Sequence, residues 1–96
     1  MEGKYIKEEI AERNDEALFI DGIDGDKEAF NDALIGYGER CALGPIAIYD
    51  TNRVISILEE KYDMTLEEAN EWFDYNILGA YVGENTPLFV NDLREW

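Results

Sequence analysis

The chain has 96 residues and a net charge of −15, from 23 acidic and 8 basic residues with no histidine. This length fits a single domain over residues 1–96 and leaves no room for a two-domain enzyme. With 46% hydrophobic residues the chain is expected to fold despite its acidity. The charge argues against direct nucleic-acid binding and against docking on anionic membranes. The single cysteine, Cys41, excludes an internal disulfide and a cysteine-based zinc site.

The amino-terminal region, residues 1–31, predicts a helix, a strand and an acidic loop. The helix is expected over 4–13, where an apolar stripe lies opposite Glu8, Glu9 and Glu12. The short apolar run 17–20 predicts a strand, and the turn-rich residues 21–26 predict a loop after it. Residues 27–31 fit a single helical turn. This region carries most of the acid in the first third of the chain, where residues 1–32 have a net charge of −7.

The middle of the chain is neutral and rich in strand-forming residues. Residues 33–58 carry two acidic and two basic side chains. Two runs, 33–39 and 45–49, predict strands that pair as an antiparallel hairpin across a short connection. Asp50 or Thr51 can cap a helix over 52–61, because either side chain can accept the free backbone N–H groups at its start.

The last third, residues 59–96, has a net charge of −8 and predicts a capped helix followed by a strand. Thr65 and Glu68 form a capping-box pattern, and apolar residues then recur at intervals of three and four. Gly79 or Gly83 could end this helix, and residues 87–90 predict a strand that begins at Pro87. The elements together predict an α+β fold, with an antiparallel sheet of about four strands and helices packed on one face.

Two stretches resemble a known family. They include Asp32-Ala33-Leu34-Ile35-Gly36, the strand end Ala47-Ile48-Tyr49-Asp50, and the run from Phe73 to Pro87. They resemble a family of small, acidic, uncharacterised proteins of tailed bacteriophages and their prophages. The resemblance covers residues 32–90, about two-thirds of the chain, and implies a family-like core after the region 1–31. It implies a phage accessory protein acting in a bacterial host cytoplasm, and it assigns no activity.

Four carboxylates, those of Asp21, Asp24, Asp26 and Glu28, fit either a metal site or a solvated acidic loop. Hard cations prefer clustered carboxylate oxygens, but a calcium loop beginning at Asp24 would place Ala29 where glycine is needed. It would also place Ile35 where the bidentate acid is needed. The spacing therefore favours the solvated loop, and we expect no metal and no cofactor.

Catalysis has weak support in the sequence. Asp50 and Asp74 are the least arbitrary candidates for acid–base work, but Asp50 also fits a helix cap and Asp74 a solvated helix residue. Cys41 has no histidine to raise its thiolate fraction, which favours a thiol in the hairpin loop or half-buried in the structure over a nucleophile. We therefore expect no catalytic residues and a protein that is not an enzyme.

Aromatic residues concentrate in the second half of the chain. The helical and strand periodicity assigns Trp72, Phe73 and Phe89 to the core. Three others, Tyr75, Tyr81 and Trp96, are harder to place inside. If they are exposed beside acidic residues, they form an aromatic patch ringed by acid, the composition of a surface that grips a basic partner.

The total charge alone is too sparse to imitate DNA. A chain of this size exposes roughly 5,600 Å², or about one net charge per 370 Å². Duplex DNA carries one charge per about 100 Å² of its envelope. The carboxylates would therefore have to gather on one face.

The leading functional hypothesis is a non-enzymatic accessory protein that binds a basic surface of a host or phage protein. It would resemble DNA in charge and inhibit a nucleic-acid-handling or defence factor. A self-associating homodimer and a small ligand-binding or enzymatic domain are the alternatives. No targeting segment or membrane span is recognisable, which predicts a cytosolic location. The predicted partner contacts are Glu8, Glu9, Glu12, Glu67, Glu71, Asp74, Tyr75 and Tyr81.

Overall fold

The computed structural model describes residues 3–79 and 83–94, and these residues confirm the α+β class. Its helices are α1 (Gly3–Arg13), α2 (Thr51–Lys61) and α3 (Leu66–Phe73). Its strands are β1 (Leu34–Arg40), β2 (Leu43–Asp50) and β3 (Leu88–Val90). A 3₁₀ turn, Asn31–Ala33, leads into β1, and a π-helical turn, Asp74–Leu78, extends α3. Within the described ranges, none of the helices combines the length and the apolar composition of a membrane span.

The predicted hairpin is confirmed. β1 and β2 pair antiparallel, with Tyr37 opposite Ala47 at the centre. The turn between them is shorter than expected and consists of Cys41 and Ala42, where Ala42 takes a φ of 64°. The register shifts between Leu34 and Gly36 and again between Gly38 and Arg40. These irregularities leave a short regular stretch, 36–38, in the middle of β1.

The prediction of about four antiparallel strands is wrong in number and in direction. The described residues form a mixed sheet of three strands in the order β1-β2-β3, and β3 runs parallel to β2. Parallel neighbours need a long crossover connection, which here contains α2, α3 and the π turn. This connection returns the chain to the last three residues of β2, where Leu88 pairs with Ile48 and Val90 pairs with Asp50.

Residues 17–20, predicted as a strand, do not pair into the sheet. The backbone N–H of Leu18 donates to the Asn85 carbonyl at 3.0 Å. The N–H of Ile20 donates to the Tyr49 hydroxyl at 3.2 Å. These groups are therefore satisfied one at a time, by a loop and a side chain, rather than by a ladder. The helical turn expected over 27–31 is found as turns that lead into the 3₁₀ segment.

Both predicted helix caps are confirmed. The Asp50 carboxylate accepts from the backbone N–H of Asn52 at the start of α2. At the start of α3, the Thr65 hydroxyl accepts from the N–H of Glu68, and the Glu68 carboxylate accepts from the N–H of Thr65. These reciprocal bonds satisfy amide groups that have no partner inside the helix.

The core lies on one face of the sheet. Leu34 and Tyr49 are register partners, and Ala47 precedes Tyr49 by two residues, so the three side chains share a face. One buried cluster joins them to residues from all three helices, including Ile10, Leu58 and Phe73. The sheet thereby holds the helices in place by burying apolar surface, the main stabilising force in a domain of this size.

Helix α1 runs along β1. At its start, Gly3 packs against the backbone of Asn31, the first residue of the 3₁₀ turn that leads into β1. At its end, the Arg13 guanidinium lies 5.3 Å from the centroid of the Tyr37 ring. The next residue, Asn14, donates from its side chain to the Pro45 carbonyl at 2.9 Å. The helix is therefore anchored at both ends of the hairpin.

Candidate functional site

The predicted acidic residues lie on two helices that differ in net charge. In α1, Glu8, Glu9 and Glu12 are balanced by three basic residues, so the helix is neutral. Glu9 pairs with Arg13 at 2.5 Å, one helical turn away. The segment from α3 through the π turn, residues 66–78, carries four acidic residues and no basic one. Of these two segments, only the one from α3 through the π turn carries acid that its own basic residues do not balance.

We call this surface of α3 and the π turn the acidic–aromatic strip. It consists of the four acidic residues and two aromatic residues, Glu67, Glu68, Glu71, Trp72, Asp74 and Tyr75. Within the described residues, the side chains of Glu67, Glu71 and Asp74 make no hydrogen bond or ion pair. Their charges are thus available to a partner.

An open groove of about 360 Å³ runs along the strip. Tyr75 is 82% exposed, the most exposed of the described aromatic residues. Trp72 is half-buried, with part of its ring packed against the core. A large exposed ring next to an anchored one gives apolar contact area at low entropic cost. The groove is lined by Met64, Glu68, Glu71, Trp72, Tyr75 and Asn76.

The π turn explains how the strip can be acidic outside and apolar inside. The buried residues Ala69, Phe73 and Ile77 are spaced by four. In an α-helix each four-residue step overshoots a full turn by about 40°. The wider turn at 74–78, closed by the bond from the Gly79 N–H to the Asp74 carbonyl at 2.9 Å, offsets this drift. Ile77 stays in the core while Tyr75 points to solvent.

The structure brings together only part of the predicted contact set. Glu71 and Tyr75 line the groove, and Glu67 and Asp74 are exposed on the same segment. Tyr81 and Trp96 lie outside the described residues. The predicted contacts on α1, Glu8, Glu9 and Glu12, belong to a helix that packs on the hairpin rather than on α3.

Sequence reasoning missed four residues of the groove. The sequence predicts Glu68 in the capping box, which it forms, and Trp72 in the core, against which it packs with part of its ring. Met64 and Asn76 carry no charge or aromatic ring to mark them. The helical spacing of 68, 71, 72, 75 and 76 places all five on one face, and this pattern could have identified the groove.

The acidic loop 21–28 is held by internal contacts. Two carboxylates accept from the backbone two residues on, Asp24 from Asp26 at 3.2 Å and Asp26 from Glu28 at 2.9 Å. Asp24 also accepts from the Tyr62 hydroxyl at 2.8 Å, and Asp26 pairs with Lys61 at 3.3 Å. In the described part of the chain, no three acidic or cysteine residues converge as metal ligands. The loop therefore uses its carboxylates to attach itself to α2.

The hydrogen bond between Tyr62 and Asp24 should make the stability of the protein depend on pH. Desolvation first, and then the hydrogen bond to Asp24, raise the pKa of Tyr62 to about 12. A raised pKa of a phenol means that the protonated form stabilises the folded state. This contribution is complete below the ordinary pKa of 10.0 and is lost as the pH rises through about 12. We expect Tyr62→Phe to lower the free energy of unfolding at pH 7, and the difference from the wild type to vanish by about pH 12.

Urea unfolding of both proteins at several pH values measures this difference. Asp24 gives a second pH dependence, at low pH. The hydrogen bond from Tyr62 and, to a smaller extent, the one from the backbone N–H of Asp26 lower the pKa of Asp24 below its ordinary value of 3.8. The difference should therefore also shrink as the pH falls below about 4. A difference that stays constant from pH 7 to pH 12 would contradict the assigned bond.

The candidate catalytic groups have structural positions. Asp50 caps α2, as the sequence predicts in the alternative to a catalytic role. Asp74 is exposed on the π turn, and Cys41 is exposed in the hairpin turn. None of the three lies among the residues that line the α3 groove. Their positions are consistent with a cap, a solvated carboxylate and a surface thiol.

Comparisons of the chain with protein-family models, with curated proteins and with solved structures find no match. The resemblance to tailed-phage proteins therefore depends on the residues quoted for it and stays a prediction. The case for function accordingly depends on the charge and geometry of the strip.

Proposed function

We propose that this protein is not an enzyme and that it binds a basic surface of another protein through the acidic–aromatic strip. The observation that carries the proposal is the exposed Tyr75 ring, which lines the same groove as Glu71 and follows the exposed Asp74 in the chain. Among the residues that the structure describes, neither carboxylate has a hydrogen-bond or ion-pair partner. Aromatic rings supply contact area and attract cations, and the carboxylates steer and orient them. The partner is thus a protein whose surface presents lysine or arginine.

The spacing of the carboxylates supports a partner that also handles nucleic acid. The four acidic residues occur between Glu67 and Asp74, a rise of about 10.5 Å along the helix axis. The mean rise per carboxylate along the helix axis is about 3.5 Å, similar to the rise of about 3.4 Å of axis per phosphate in one DNA strand. The carboxylates are therefore closer together on the strip than they would be if the net charge were spread evenly over the whole surface. Inhibition of a nucleic-acid-handling or defence factor of a bacterial host is the role we propose for this charge.

The proposal is tested with a labelled oligoarginine peptide and fluorescence anisotropy. The strip variant carries three changes, Glu67→Gln, Glu71→Gln and Asp74→Asn. Three exposed charges at about 0.5 kcal/mol each correspond to roughly tenfold weaker binding. The affinity of the wild-type protein should fall steeply between low and high salt, because exposed charges are screened.

A matched control removes the same number of charges from α1, with Glu8→Gln, Glu9→Gln and Glu12→Gln. This variant should bind oligoarginine less than about threefold more weakly than the wild type, because α1 starts out neutral. Equal losses in the two variants would show that the peptide responds to total charge, and the strip would not be the site. Tyr75→Ala in the wild-type background separates the aromatic contribution from the charge.

The two alternative functions, a small-ligand or enzymatic domain and a homodimer, predict different observations. A small-ligand or enzymatic domain would need a deep, polar-lined cavity beneath the helix that begins at residue 66. The described residues form an open groove there instead. A homodimer that is tight and insensitive to salt would be detected by light scattering, and its detection would favour self-association over the proposed function.

A further inference from the structure

A second groove lies between α1 and β1, away from the acidic–aromatic strip. Its volume is about 260 Å³. It follows the line of β1, because α1 runs along that strand from Gly3 at one end to Arg13 at the other. The lining is mainly apolar, with one carboxylate, and consists of Tyr5, Ile6, Glu9, Ile35, Gly36 and Tyr37.

The groove borders an open edge of the sheet. β1 is an outer strand, and it pairs with β2 only. Among the described residues, no backbone group of 35–40 hydrogen-bonds to anything beyond the hairpin. In an edge strand, alternate residues direct their N–H and C=O groups away from the single partner. The face of the strand is also open at Gly36, since nothing lies within 4 Å of the position that a Cβ would occupy.

Large apolar side chains are exposed beside this edge. Ile35 is 54% exposed and Tyr5 is 50% exposed. The shift in register between Leu34 and Gly36 makes Ile35 the extra residue of a bulge, and bulges redirect side chains. An open backbone edge next to apolar pockets is the arrangement that binds extended peptides by strand addition. The backbone supplies hydrogen bonds, and the pockets accept alternate side chains of the peptide.

We propose that the outer edge of β1 and this groove bind an extended segment of a partner protein in which apolar and basic residues alternate. The apolar side chains would enter the groove between Tyr5 and Ile35, and the basic ones would face the solvent. The choice of a basic segment comes from the net charge of −15, which concentrates cations near the surface. This site is independent of the function proposed for α3.

A second copy of the chain is a poorer occupant of the same edge. Pairing β1 with β1 would bring together two proteins that each carry a charge of −15. The regular part of the strand is short for any occupant, because the two register shifts bound residues 36–38. A ladder of this length gives a weak and reversible complex, suited to a transient partner.

The test is a nuclear magnetic resonance titration of the full ¹⁵N-labelled chain with a short synthetic peptide that alternates lysine with valine. We expect shift changes at the amides of 35–39 in β1 and 5–9 in α1. Ile35→Lys should weaken binding by at least about tenfold, because it places a cation in the groove against a basic peptide. The matched control is Leu88→Lys on the opposite edge strand, where Leu88 is 50% exposed, and it should change the affinity less than about threefold.

Several results would overturn this proposal. Equal losses for Ile35→Lys and Leu88→Lys would remove the groove as the site. If a peptide with glutamate in place of lysine binds equally well, the partner need not be basic. If a peptide with proline at its centre binds equally well, binding does not depend on strand addition. Shifts at β1 that grow with protein concentration without peptide would identify a second copy as the occupant. The strip variant Glu67→Gln, Glu71→Gln, Asp74→Asn should bind this peptide within about threefold of the wild type, so the two proposals can fail separately.

Discussion

Replacing Gly3 with alanine is expected to destabilise the protein by about 1–3 kcal/mol, although alanine is the better helix former. A Cβ at this position would lie 1.9 Å from the carbonyl oxygen and 2.5 Å from the carbonyl carbon of Asn31. These are backbone atoms of the 3₁₀ turn that leads into β1, so they cannot move aside as the end of a flexible side chain can. Helix propensity alone predicts the opposite sign, a gain of up to about 1 kcal/mol.

Thermal unfolding followed by circular dichroism measures the effect of Gly3→Ala. A loss of 1 kcal/mol lowers the melting temperature by about 4–8 °C in a domain of this size. The matched control is Gly36→Ala in β1, where the added methyl group meets nothing within 4 Å. That change should leave the melting temperature unchanged or raise it slightly, since alanine has less conformational freedom to lose on folding. A rise in both variants would show that α1 does not pack on Asn31 as described.

Truncating Tyr49 to alanine is expected to cost about 3–5 kcal/mol, the usual cost of removing a buried ring. Tyr49 is 1% exposed, and its ring stacks on Phe89 of β3 with centroids 5.6 Å apart. Phe89 in turn meets the edge of the Phe73 ring at 5.2 Å. The ring of Tyr49 therefore links the central strand to β3 and, through Phe89, to α3. Its loss should weaken all three elements together.

Tyr49→Phe separates the hydroxyl group from the ring. It keeps the aromatic packing and removes the acceptor of the Ile20 N–H, which is then buried without that bond. An unsatisfied buried N–H costs about 1–3 kcal/mol. Urea unfolding should rank the two variants with alanine well below phenylalanine, and hydrogen exchange at the Ile20 amide should accelerate in Tyr49→Phe. A phenylalanine variant as stable as the wild type would contradict the role of this bond in holding residues 17–20.

Local signals in the sequence predicted the helices and the hairpin correctly. The side chains of Asp50 and Thr65 cap their own helices, so their effect is visible within a few residues of sequence. The direction of β3 is not local, because it depends on how many elements the chain passes through between residues 50 and 88. Residues 17–20 have the composition of a strand, and only the fold reveals that Tyr49 and Asn85 satisfy their backbone.

The parts of the candidate site that depend on one helix alone were predicted, and those that depend on packing between elements were not. Glu71 and Tyr75 are one helical turn apart, and their proximity follows from the helix alone. The neutrality of α1 could also be read from the sequence, since its lysines and arginine interleave with Glu8, Glu9 and Glu12. The π turn has no simple signature, and it sets how the strip faces solvent. The groove beside β1 depends on the packing of α1 along the strand, which the pattern of neither element predicts.

The crossover that makes β3 parallel to β2 also affects the order in which this chain can fold. The hairpin of β1 and β2 joins residues close in sequence, so it can form early during synthesis. The other neighbour of β2, the strand β3, is synthesised about forty residues later. Closing so long a loop costs more entropy, so this pairing forms more slowly. Until the ribosome has released residues 88–90, the central strand has an unpaired edge, and the ring of Tyr49 has not yet met Phe89. Nascent chains at this stage are the species most exposed to aggregation and proteolysis.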